Sequence, residues 1–114
     1  MSRVTAKRRS VREHRAVAFA ALGDETRLSL MGKLASGRPQ SIARLAEGST
    51  LTRQAITKHL RVLESAGVAR SVRIGREKLF ELRPEPLKDL QSYLERVSRQ
   101  WDDALARLKV FVED

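Results

Sequence analysis

The polar side chains between Thr52 and Arg61 have the residue types and spacing that base-edge recognition requires. Thr52 suits the N-cap of a helix that runs from about Arg53 to Ala66. Its first turns then expose Arg53, Gln54, Thr57 and Lys58, with Arg61 one turn further on. Arg donates two hydrogen bonds to guanine, Gln pairs with adenine, and Thr reaches a base or a thymine methyl group. The pattern therefore predicts a helix that reads a DNA groove, the alternative being an ordinary solvent-facing helix side.

A second basic group follows Gly67, where the spacing of apolar residues changes from helical to about two. Two such runs flank residues 75–77, which predicts a β-hairpin that ends at Leu82. The candidate DNA contacts of this hairpin are Arg73, Gly75, Arg76 and Lys78. Basic residues beside a flexible glycine suit contacts with phosphates or the minor groove. The alternative is a charged edge hairpin whose cations only discourage strand pairing between molecules.

The elements that must position these side chains begin with two helices. Residues 13–22 are rich in alanine and are predicted to form the first, which Gly23 ends. Asp24 then suits an N-cap, because its carboxylate accepts hydrogen bonds from the free N–H groups of a first turn. The second helix is predicted to end near residues 36–37, where a glycine favours a left-handed cap.

A short third helix is predicted over residues 42–47, with Ser41 as its N-cap. The connection to the next helix, residues 48–51, is short and begins with glycine. Two short helices joined in this way make a helix-turn-helix motif. With the hairpin, the fold class is mainly α with a small β-hairpin wing, a winged helix-turn-helix.

The C-terminal stretch carries a different pattern. Pro86 suits the first position of a helix, and apolar residues then recur at alternating steps of three and four: Leu87, Leu90, Leu94, Val97, Trp101, Ala104, Leu108 and Phe111. This heptad seam is longer than a small domain can cover by itself, so it predicts a dimer interface with Trp101 as an anchor.

Length and charge limit the function classes. A chain of 114 residues suits one domain, in which we expect a flexible basic N-terminal arm (1–12), a DNA-binding part (13–85) and a dimerisation helix (86–114). A contact between the arm and DNA stays open. A net charge of +9 and a pI near 11.0 favour a polyanionic partner, double-stranded DNA before an acidic membrane surface.

The sequence has no residue pattern that would support a disulfide-bonded protein, a metalloprotein, an enzyme or a membrane protein. The chain has no Cys, which excludes disulfides, thiolate metal sites and cysteine nucleophiles. His14 and His59 lie far apart, so no metal site is expected. His59 is instead expected to contact a phosphate or to pack as a residue of its helix. No catalytic constellation and no cofactor motif appear, so we expect a protein that is not an enzyme. No apolar run is long enough to span a membrane, and no secretory signal is recognisable. We therefore expect a cytoplasmic protein without a membrane partner.

Several motifs together resemble one family. Residues 22–28, Leu-Gly-Asp-Glu-Thr-Arg-Leu, resemble the LGDxTRL opening of the ArsR (arsenical resistance repressor) family. Residues 55–63 resemble its recognition helix, and residues 64–67 and 75–82 resemble the end of that helix and the wing. The resemblance covers about residues 15–112, with the motifs in the family's order.

The resemblance implies a dimeric winged helix-turn-helix, usually a repressor, whose first and last helices form the dimer. It implies that Arg53, Gln54, Thr57, Lys58 and His59 face DNA. The interface would then contain Phe19, Leu90, Leu94, Val97, Trp101, Leu105 and Leu108. Metal-sensing members carry Cys-x-Cys where this chain has residues 42–47, or His and acidic ligands in the last helix. Metal sensing is therefore not expected.

The expected function is that of a homodimeric repressor on an inverted-repeat operator. Two alternatives remain open: a weakly specific architectural DNA-binding protein, and a winged-helix module that binds proteins. Nothing in the sequence identifies an inducing ligand, the operator or the regulated genes.

Overall fold

The computed structural model describes the backbone of residues 3–113 and the side chains of residues 10–112. Five helices and three short strands follow one another as α1 (Arg3–Leu22), α2 (Glu25–Leu34), β1 (Gln40–Ser41), α3 (Ile42–Leu45), α4 (Arg53–Ser65), β2 (Ala69–Ile74), β3 (Glu77–Leu82) and α5 (Pro84–Glu113). The fold is mainly helical with one small sheet, as predicted. α3 and α4 form the helix-turn-helix, and β2 and β3 form the wing.

Local cap chemistry determines where the central helices begin. All three predicted N-caps are confirmed. In each, the side-chain oxygen accepts a hydrogen bond from the backbone N–H three residues further on. The pairs are Asp24–Arg27 (3.0 Å), Ser41–Arg44 (3.1 Å) and Thr52–Ala55 (3.1 Å). The first N–H groups of a helix lack partners within it, so these oxygens stabilise the chosen start.

Two helix starts differ from the sequence prediction. α1 begins at Arg3 rather than near Glu13, since residues 3–12 contain no glycine or proline that would stop a helix. α5 begins at Pro84 rather than Pro86, and proline fits there because the N–H that it lacks would have no partner within the helix at that position. The side chains of residues 1–9 lie outside the described part, so the question of a contact between the arm and DNA stays open.

The sheet has the order β1-β3-β2 and is antiparallel throughout. β1 was not predicted, because two residues are too few to show an alternating pattern. The register of the hairpin places Glu77 opposite Ile74, so Glu77 belongs to β3 and the turn is Gly75-Arg76 alone. Gly75 has a φ of 64°, and no other residue type in the described chain has a positive φ. This is the sign pattern of a type II′ turn, which favours glycine first.

A core of apolar side chains holds α4 within residues 1–84. Ile56, Leu60 and Leu63 are at most 1% exposed and lie on one side of α4. They pack in the same core as the other most buried side chains: Leu30, Leu34, Leu45, Val68 and Phe80. Because this face is fixed inward, the opposite face of α4 is turned to solvent.

α5 forms the second unit of the chain, residues 85–114, and is described here by itself. Its seam is uneven: Leu90 is buried and Val97 and Ala104 are half-buried, whereas Leu94, Trp101, Leu108 and Phe111 are exposed. Trp101 has 66% of its surface exposed. Within residues 3–113, no helix combines the length and the apolar character that a bilayer crossing would need.

Candidate nucleic-acid interface

The outer face of α4 brings together most of the residues predicted there. The sequence predicts DNA contacts for seven residues of this segment: Thr52, Arg53, Gln54, Thr57, Lys58, His59 and Arg61. Five of them, all except Thr52 and His59, line one open depression between α3 and α4. Ile42 and Ala43 of α3 complete its lining.

This grouping follows from the period of the helix. The buried residues Ile56, Leu60 and Leu63 occupy one side, so the positions that line the depression fall on the other. Three cations lie among them, and none of the lining residues is acidic. The result is a positive surface with hydrogen-bond donors that point to solvent, which matches the edges of bases and the phosphates beside them.

Thr57 has a more restricted chemistry than the rest of this face. Its hydroxyl donates to the carbonyl of Arg53 at 2.8 Å, and the side chain is half-buried. The hydroxyl proton is therefore already used, which leaves the oxygen as an acceptor and the methyl group as an apolar contact. A thymine methyl group is the natural partner for such a surface.

The other two predicted residues of this segment are placed differently. Thr52 is exposed, but its side-chain oxygen already accepts a hydrogen bond as the N-cap of α4. His59 is half-buried on the side of α4 that faces α2. Its Nδ1 lies 3.3 Å from Nη1 of Arg27 and 3.8 Å from Oδ2 of Asp24. The structure therefore separates His59 from the five residues of the depression.

All four predicted residues of the wing are exposed: Arg73, Gly75, Arg76 and Lys78. The side chains of the wing differ in how they are held. Arg70 pairs with Glu81 at 2.8 Å across the hairpin, and the Lys78 ammonium lies 5.5 Å from the centre of the Phe80 ring. Arg70 is thus paired within the wing, whereas Arg73 and Arg76 beside and within its turn are exposed.

Two residues that the sequence reasoning missed hold the site in place. Lys33 donates to the carbonyls of Leu45 and Glu47, at 2.9 and 3.3 Å, and so supports the end of α3. Arg27 connects α2 to the carbonyl of Ala21 and to α4. Lys33 showed only the weak signal of a cation in a last helical turn, and Arg27 was noted only as part of the family motif.

Across the part of the chain that the structure describes, no group of three His, Cys, Asp or Glu side chains is arranged to hold a metal ion. The two histidines and the scattered acids do not converge there.

Known proteins that are similar to this chain share its central elements. A family described as a helix-turn-helix domain matches residues 22–72, from the end of α1 into β2. The HTH-type transcriptional regulator YuzN of Bacillus subtilis is 38% identical over 78 residues, which cover 63% of this chain and 85% of that protein.

Solved structures extend the similarity to the whole fold. An ArsR-like transcriptional regulator from Rhodococcus sp. RHA1 is 37% identical, with a TM-score of 0.71, and the match covers 88% of this chain and 93% of that one. A homodimeric winged helix-turn-helix DNA-binding domain from Mycobacterium bovis is 19% identical, with a TM-score of 0.64, over 92% of this chain and 91% of that one. The latter similarity concerns the fold alone.

Proposed function

Because the chain belongs to the ArsR family of winged helix-turn-helix transcription regulators, in the branch without metal-binding cysteines, we propose that it is a repressor that binds an inverted-repeat operator as a homodimer. The family consists of DNA-binding regulators and not of enzymes. The proposal adds the direction of regulation, the form of the operator and the oligomeric state, and it places the protein in the cytoplasm.

The depression between α3 and α4 is the observation that carries this proposal. It gathers Arg53, Gln54, Thr57, Lys58 and Arg61 on one exposed face without an acidic neighbour in its lining. We assign base contacts to Arg53 and Gln54, which lie at the N-terminus of α4, where recognition helices meet base edges. Lys58 and Arg61 would bind the flanking phosphates, and Thr57 would contact a thymine methyl group.

The wing adds a contact that does not depend on sequence. Arg73, Arg76 and Lys78 are exposed on both sides of the tight turn at Gly75. Their charges would bind phosphates or enter the minor groove next to the half-site that α4 reads. Such contacts raise affinity for every duplex and set the register of the protein on DNA.

The apolar seam of α5 supports the homodimer. Leu94, Trp101, Leu105 and Leu108 are each more than 50% exposed in the single chain, which is a large apolar surface for a protein in water. A second copy would cover it, with Leu90 and Val97 of α5 and Phe19 of α1 completing the interface. The homodimeric domain from Mycobacterium bovis has the same fold, which agrees with this assembly. Two recognition helices would then enter major grooves about 34 Å apart.

The test is fluorescence anisotropy with two duplexes across a salt series. One duplex carries the DNA upstream of the protein's own gene, and the other carries the same bases in shuffled order. A preference of about a thousandfold for the upstream duplex, with a steep salt dependence on both, is the expected result. Equal affinity for both, together with equal affinity for tiled fragments of the neighbouring genes, would favour the architectural alternative. No binding at low salt would overturn the proposal and favour a protein-binding module.

A further inference from the structure

Arg27 joins three helices at one point. It lies in the first turn of α2, its Nε donates to the carbonyl of Ala21 at the end of α1, and its Nη1 lies 3.3 Å from Nδ1 of His59 on α4. A guanidinium group has five donors and no acceptor. In this contact His59 Nδ1 therefore accepts the hydrogen bond from Arg27.

Asp24 closes the same cluster from the other side. Its carboxylate accepts from the backbone N–H of Arg27 at 3.0 Å and lies 3.8 Å from His59 Nδ1. That N–H, with the nearby charge of Arg27, lowers the pKa of the Asp24 carboxyl, so a negative charge stays beside the guanidinium. The cluster thus joins residues 24 and 27 to residue 59, which lies far away in the sequence but next to them in the fold.

We propose that His59 is a positioning residue, which fixes the recognition helix against α2 by accepting a hydrogen bond from Arg27 at Nδ1 and does not contact DNA. This departs from the role that the family resemblance implied for His59, and it rests on the proposed function of α4 as the helix that reads DNA. Two observations carry it: the half-buried side chain and its separation from the depression that the five other residues line.

The position of this contact explains why it would matter for recognition. The buried residues of α4 hold it by apolar packing, which has no preferred direction and tolerates small rotations or slides. A hydrogen bond is directional, and this one lies about 9 Å along the helix axis from Arg53, at 1.5 Å per residue. A shift of α4 that the bond prevents would displace Arg53 and Gln54 from bidentate geometry with their bases.

Two conservative substitutions distinguish positioning from contact. His59→Asn places an amide oxygen near the position of Nδ1, where it can accept from Arg27. His59→Gln instead reaches the position of Nε2, which points away from that bond. His59→Ala removes both nitrogens. Each variant is measured with the upstream and shuffled duplexes over a salt series, and its thermal unfolding confirms that it is folded.

We expect His59→Ala and His59→Gln to reduce the preference for the upstream duplex by about tenfold. This factor corresponds to the free energy of one hydrogen bond to a charged group. His59→Asn should retain most of the preference, and the salt slope should be the same in all three, because no phosphate contact is lost. Arg27→Ala should give a similar loss, which adding His59→Ala should not deepen.

Three results would overturn the inference. Rescue by His59→Gln but not by His59→Asn would indicate a direct contact with DNA through Nε2. An equal loss on both duplexes with a smaller salt slope would indicate a phosphate contact. A variant His59→Ala that keeps the full preference of the wild type would show that the bond does not position α4. The wild type is measured in the same series, and a wild type without preference would instead refute the proposed function on which the inference rests.

Discussion

Arg73 lies directly opposite Lys78 in the β2–β3 ladder, so two cations face each other beside the turn of the wing. Opposite residues of an antiparallel pair place their side chains on the same face, and like charges there are destabilising. Three pairs further along the ladder, Arg70 and Glu81 have opposite charges and form an ion pair. The repulsion near the tip is therefore not a general property of this hairpin, and it is what a site for a phosphate would show in the absence of DNA.

Replacing one of these cations by an acid should separate stability from binding. Arg73→Glu makes the pair attractive, so we expect the free energy of unfolding to rise by about 0.2–1 kcal/mol. Affinity for all duplexes should fall at the same time, because a phosphate contact is lost and the new carboxylate is repelled by the phosphates of the DNA. Chemical denaturation and fluorescence anisotropy measure the two effects. Arg70→Glu is the matched control, since it places two acids opposite each other and should lower stability. An Arg73→Glu protein that is less stable than the wild type would contradict this reading.

The tip of the wing should contribute affinity without specificity. Arg76→Ala is expected to weaken binding to upstream and shuffled duplexes alike and to reduce the slope of log affinity against log salt by about one. Arg99→Ala is the control, because Arg99 lies on the side of α5 opposite the apolar seam. A slope that is unchanged in Arg76→Ala would remove this residue from the contact surface.

Specificity should instead depend on the first turn of α4. Arg53→Ala or Gln54→Ala should lose about 1–3 kcal/mol of preference for the operator, the value of one bidentate base contact, while nonspecific binding changes much less. Competition of both duplexes for each variant gives the ratio directly. Losses of the same size on every sequence would mean that these side chains bind phosphates and not bases.

The parts of this fold that local chemistry encodes were predicted from sequence. The N-caps Asp24, Ser41 and Thr52 are such parts, because a cap needs only its own side chain and the next three residues. The glycine in the turn of the wing is another, since the positive φ of 64° at Gly75 strongly favours that residue. The grouping of the α4 side chains followed from the 3.6-residue period.

The parts that depend on distant residues could not be predicted in this way. β1 exists because Gln40 and Ser41 pair with Phe80 and Leu79, and two residues have no pattern of their own. The bond between Arg27 and His59 joins residues 32 positions apart. The motif behind the expectation that His59 faces DNA records which residue is present and not which way its side chain points.

The proposed dimer should depend on the exposed part of the α5 seam. Trp101→Ala removes the largest apolar side chain there and is expected to raise the dissociation constant of the dimer by about 30-fold or more. Sedimentation equilibrium over a range of concentrations measures this. Val110→Ala is the control. Val110 is 60% exposed, close to the exposure of Trp101, but it lies off the seam. Equal effects of the two substitutions would show that general hydrophobicity, and not the seam, drives association.

Asp24 should give the folded protein a recognisable acid response. The backbone N–H of Arg27 lowers the pKa of this carboxyl below its ordinary value of 3.8, so its ionised form is favoured more strongly in the folded than in the unfolded chain. A lowered pKa contributes stability that is present above pH 3.8 and is lost as the pH falls through the folded value.

Asp24→Asn and Asp24→Ser keep a capping oxygen but have no charge to lose. Thermal unfolding between about pH 7 and pH 2 should therefore show the wild type more stable than both variants at neutral pH, with the difference shrinking in acid. A difference that stays constant over this range would mean that the charge of Asp24 makes no contribution to folding.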